Sequence, residues 1–65
     1  MLLTNKYIHV EDADTIIVVY EYYGCLYSCN VLQNHLVWAS ALYTTLQEAF
    51  TEAVAYLHKY KYAEV

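Results

Sequence analysis

The side chains of this sequence best suited to chemistry are three histidines, two cysteines and an acidic run, and their spacing argues against most of the chemistry they can do. His9, His35 and His58 stand singly along the chain, whereas a zinc site draws four ligands at close, paired intervals. Cys25 and Cys29 are four residues apart, which in a strand separates their Cα atoms by about 13 Å, and a disulfide needs less than about 7 Å. Both cysteines are therefore expected to be reduced and structural. A nucleophile, base and orienter need Ser, Thr or Cys beside a histidine held by a carboxylate, and no motif here places them together. One glycine, Gly24, rules out a glycine-rich phosphate cradle. His35 is expected in a turn, His58 on the polar side of a helix and His9 beside the acidic run, each exposed to water. Neither an enzyme, a cofactor nor a metal is expected. Glu11, Asp12 and Asp14 read as a solvated turn whose charge can also steer a basic partner.

Charge narrows the partners further. Three lysines, no arginine and seven acids give a net charge of −4, and a surface that tracks phosphates needs Lys or Arg to release counterions. Nucleic acid is disfavoured as a direct ligand. The closing "HKYKYAEV" sets Lys59 and Lys61 between Tyr60 and Tyr62, so a sheet that stacks single-stranded bases on Tyr22, Tyr23 and Tyr27 is the alternative from another class. "MLLTNKYIHVED" has neither the basic start nor the apolar core of a signal peptide. The longest apolar run, "LVWASALY", falls short of the roughly 20 residues of a membrane helix. No membrane partner is expected, and a cytoplasmic location follows by default.

The elements that carry these residues have few punctuation marks, for the chain has no proline. Its 65 residues read as one small domain over 1–65, which buries only about 60% of its unfolded surface. Thr45 and Glu48 form a capping box. Leu46, Ala49, Phe50, Ala53, Val54, Leu57 and Tyr60 then recur every three or four residues, predicting a helix over about 45–61. Upstream, "TIIVVYEYY" is β-branched and aromatic, and Gly24-Cys25 suits a two-residue type II′ hairpin turn. That turn pairs Tyr22 with Tyr27, Tyr20 with Cys29 and Val18 with Val31. A second turn at Asn34-His35 pairs Val31 with Trp38 and Cys29 with Ser40. With "NKYIHV" as a first strand and "EDAD" as its turn, the order is ββββα: an α+β fold, an antiparallel three- to four-stranded meander with one C-terminal helix packed on one face.

This register sorts the side chains into two sets. Ile16, Val18, Tyr20, Tyr22, Tyr27, Cys29, Val31, Leu36, Trp38 and Leu42 are expected beneath the helix. Ile17, Val19, Tyr23, Leu32, Val37 and Tyr43 are expected on the reverse face, as an interface. A competing structure is a β-hairpin followed by one long helix over about 30–61, because Leu32, Leu36, Ala39, Tyr43, Leu46 and Phe50 also fit a heptad seam. The internal capping box and the weak helix formers in "NHLVW" and "LYTT" favour the sheet.

"TLQEAFTEAVAYL", residues 45–57, resembles the closing helix of HicB-like antitoxin domains, over about a fifth of the chain. That resemblance implies a helix packed on a short antiparallel sheet, with an antitoxin-type domain as an alternative reading. In general character, small, acidic and without catalytic signature, the chain is also similar to phage-encoded inhibitors such as anti-CRISPR proteins.

One helix covers one face of a sheet. With 60% of residues hydrophobic and nine of them tyrosine, the reverse face is left apolar, and such patches mark interfaces. The expectation is a small acidic protein-binding module, homodimeric, that occludes an unidentified protein target, with Glu11, Asp12 and Asp14 meeting basic residues.

Overall fold

The computed structural model describes residues 1–65. Five strands and one helix follow in the order β1 (Leu2–His9), β2 (Thr15–Tyr22), β3 (Leu26–Gln33), β4 (Leu36–Ala39), α1 (Leu46–Leu57) and β5 (Tyr62–Glu64). The strands form one antiparallel sheet in the order β4-β3-β2-β1-β5, and α1 lies across one side of it. The expected α+β meander with a C-terminal helix is thus present, extended by a fifth strand. Residues 30–44 hold the end of β3, β4 and a connector, so the long helix does not form.

The acidic turn between β1 and β2 is built by Asp12. Its Oδ1 accepts from the Asp14 N–H at 3.2 Å, its Oδ2 from the Thr15 hydroxyl at 2.8 Å, and its carbonyl from the Thr15 N–H at 2.9 Å. An aspartate that satisfies the next two backbone groups is a standard turn former. The β3–β4 turn falls at Asn34-His35 as expected, with Asn34 taking φ 70°, and Val31 pairs with Trp38.

The β2–β3 hairpin departs from expectation by one residue. Its loop is Tyr23-Gly24-Cys25, and Tyr22 pairs with Leu26, Val19 with Cys29 and Ile17 with Val31. Gly24 and Cys25 both have positive φ, 53° and 94°, instead of the single positive φ of a type II′ turn. A one-residue slip turns every β2 side chain to the other face. Burial explains the winning register. It puts Ile17 and Val19 beneath the helix with zero exposure, against Val31, Cys29, Ala49 and Ala53. The expected register would have put Tyr20 and Tyr22 there, whose hydroxyls need partners when buried.

Helix α1 begins as its capping box dictates. The Thr45 hydroxyl accepts from the Glu48 N–H at 3.1 Å and donates to Glu48 Oε1 at 2.9 Å. Ala49 and Ala53 face the sheet, and their small side chains let the helix sit close enough to exclude water from both. Phe50 packs on Tyr7 with ring centroids 4.5 Å apart, and Tyr56 stacks on Trp38 at 4.8 Å. The helix stops at Leu57, earlier than 61, because His58 turns left-handed at φ 54° and its N–H closes on the Val54 carbonyl. The freed residues return as β5, where Tyr62 packs under Phe50 and beside His9. Tyr60, expected on the helix stripe, is exposed, as is Leu42.

Candidate interaction face

The side of the sheet opposite α1 is uncovered, and the register defines what it displays. One cross-strand row runs Ala63, Ile8, Ile16, Leu32, Leu36 through all five strands. The next runs Lys6, Val18, Asn30, Ala39, and a third joins Leu3, Tyr20 and Ser28. Tyr22 and Leu26 pair beyond them. Lys6 is the only charged side chain in these rows. None of these residues joins the cluster under the helix. Leu3 is 52% exposed and Leu36 54%, Ile8, Ile16 and Leu32 are half-buried, and Val18 and Ser28, in the middle of the sheet, are buried at 6% and 7%.

Strand spacing sets the scale. The rows hold 5, 4, 3 and 2 residues, 14 in all, and at about 4.8 Å between strands and about 6.6 Å between same-face residues they cover on the order of 400 Å² in projection. A patch of that size falls within the roughly 300–600 Å² of the largest patch on a typical monomer, and such patches are often functional. Paired with an equal patch, it buries roughly 800 Å², the size of a weak, reversible contact and short of the roughly 1,000 Å² of a tight specific interface.

The residues expected on this face are only partly there. Leu32 is, in the middle of the aliphatic row. Ile17 and Val19 are not: the hairpin slip makes them the centre of the core, at zero exposure. Their places are taken by Ile16, Val18, Tyr20 and Tyr22, which makes β2's share of the face free of charge. Tyr23 sits at the hairpin tip, 96% exposed. Val37 falls where the β3–β4 register shifts and is 36% exposed. Tyr43 belongs to the helix side, bridging Tyr27 through reciprocal backbone hydrogen bonds of 2.7 and 2.8 Å and packing on the core. Its hydroxyl pKa is raised by burial and by the nearby Glu52 carboxylate.

In the acidic turn, Asp12 is not a free carboxylate. Besides its turn contacts it accepts from Lys59 Nζ at 2.7 Å, the only ion pair in the molecule. Hydrogen bonds from Lys59 and Thr15 hold its pKa down at about 2, from 3.8. Glu11 is exposed and Asp14 likewise. His9, expected in water, is buried at 7% exposure, its Nδ1 accepting from the Glu11 N–H at 3.2 Å. Cys25 is exposed and Cys29 buried, both as free thiols, and burial pushes the Cys29 thiol up to about 12. No helix is long and apolar enough to cross a membrane.

No known protein family matches the chain, and no curated protein or solved structure matches it.

Proposed function

We propose that the chain is a non-enzymatic protein-binding module that pairs through its open sheet face with a second copy of itself and acts by covering the working surface of a partner protein. The observation that carries this reading is the unbroken aliphatic row Ala63, Ile8, Ile16, Leu32, Leu36 across five strands, with no element of the chain laid over it. A two-fold pairing buries the same patch on both copies. It also removes the exposed apolar area that a 65-residue chain has no second helix to cover. The acidic surface elsewhere, with Glu11 and Asp14 free in the β1–β2 turn, supplies the charge that draws in a basic target.

The alternative of a sheet that stacks single-stranded bases is weakened by placement. Of its three tyrosines only Tyr22 lies on the open face; Tyr23 is in a loop and Tyr27 is packed towards the helix. Lys59 and Lys61 lie away from that face, Lys59 in an ion pair with Asp12 beside the β1–β2 turn.

Sedimentation equilibrium on the wild type and on Ile16→Lys tests the proposal. The wild type is expected to show a concentration-dependent mass between one and two chains, with a dissociation constant in the micromolar range, and Ile16→Lys to stay monomeric with an unchanged circular dichroism spectrum. A wild type that sediments as a single chain throughout contradicts the dimer.

A further inference from the structure

The molecule's one sizeable concavity, about 330 Å³, lies away from the open face, between the β1–β2 turn and the connector from α1 to β5. Its walls are His9 and Glu11 on one side and His58, Lys59, Tyr60 and Lys61 on the other. Two cross-links fix them: the Lys59–Asp12 ion pair at 2.7 Å and a hydrogen bond from the Val10 N–H to the Lys61 carbonyl at 2.9 Å. The left-handed turn at His58 aims the connector back towards β1. The connector that carries Lys59 and Lys61 is therefore tied to the β1–β2 turn at two points.

Donors are concentrated there. The chain has three lysines and three histidines, and two of each line this one hollow. Lys61 has no carboxylate within ion-pairing distance. Lys59 gives one contact to Asp12 and keeps two ammonium N–H groups. His9 accepts at Nδ1, which leaves its other ring nitrogen as the one bearing a proton. Against these stand Glu11 in the lining and the Asp12 carboxylate 2.7 Å from Lys59, two charges that oppose an anion.

We propose that this hollow is a binding site for a phosphate group, separate from the apolar face. Two ammonium groups act as point charges, which is how lysine binds phosphate, and a dianion gains more from two of them than a singly charged carboxylate does. The Glu11 carboxylate makes two variants move binding in opposite directions.

The test is titration of the whole chain with inorganic phosphate, followed by amide chemical shifts, against acetate and chloride at matched ionic strength. Saturable shifts confined to residues 9–12 and 58–61, seen with phosphate alone, are expected. Lys61→Met should weaken binding about tenfold and Glu11→Gln tighten it about threefold, since each alters one unit charge at the site, while Lys6→Met leaves it unchanged. Shifts that match those in acetate, or that spread equally to Lys6, or that survive Lys61→Met, overturn the proposal. Because Glu11→Gln removes a surface charge without touching the core, its effect on binding can be read even if Lys61→Met perturbs the connector.

Discussion

Ile17→Ala asks the molecule directly which way β2 faces. Ile17 has no exposed surface, pairs with Val31 and lies under Ala49 and Ala53. The substitution removes three carbons, about 2.4 kcal/mol at roughly 0.8 kcal/mol per buried methylene. The cavity left in a sheet-and-helix core adds about 1 kcal/mol more, for a total of about 3.5 kcal/mol, within the range measured for such truncations. A chain of this length has about 3–10 kcal/mol of stability in all, so this one change removes a third or more of it. The melting temperature should drop by about 15 °C or more. Ile16→Ala, one residue away on the open face, should cost about 1 kcal/mol in the monomer. The assay is urea denaturation followed by circular dichroism, at the lowest concentration the signal allows so that self-association does not add to either value. Had the hairpin closed through a two-residue turn, the order would be reversed. A cost for Ile17→Ala below about 1 kcal/mol, or below that for Ile16→Ala, refutes the register and the open face drawn from it.

Other consequences follow from single contacts. Cys25 holds φ 94°, a conformation that costs a side-chain-bearing residue about 1 kcal/mol or more, so Cys25→Gly should raise stability by roughly that amount, measured by urea midpoint. Tyr62's hydroxyl is buried without a partner; Tyr62→Phe keeps the ring packing and drops the orphan group, so stability should stay level or rise by about 1 kcal/mol, and a clear loss would reveal a partner for that hydroxyl. With Cys29's thiol pushed up to about 12 and Cys25 exposed, a thiol reagent at mildly alkaline pH should label one cysteine in the native protein and two in denaturant. Asp12's folded pKa of about 2 lies below its ordinary 3.8. Its contribution is therefore fully present above that ordinary value and is lost as pH falls through the folded one; Asp12→Asn should flatten the acid limb of the stability profile across that window.

Much of the fold was legible because local signals agreed. The capping box at Thr45 fixed the start of α1 to the residue, and Asn34's tolerance of positive φ marked the β3–β4 turn. The hairpin register was not legible. Ile16 to Tyr20 are apolar on both faces, so alternation gives no vote, and Gly24-Cys25 admits both a two-residue and a three-residue loop. Only the packing of Ala49 and Ala53 against the sheet decides it, and that is a tertiary fact. The fifth strand was hidden for a different reason. Its three residues carry no β pattern, and the helical stripe runs on through Tyr60, yet His58's left-handed turn ends the helix where no glycine announces it. An apolar sheet surface without a cover is present, but only Leu32 of the six residues expected on it stands there in full, because the slip exchanged β2's two sides.

The most direct measurement of the central claim is the solution mass of the chain across dilution. The mass should fall from two chains towards one as concentration drops through the micromolar range, and stay at a single chain at every concentration for Ile16→Lys. A wild type that remains one chain at the highest concentration, or an Ile16→Lys variant that dimerises as the wild type does, contradicts the claim.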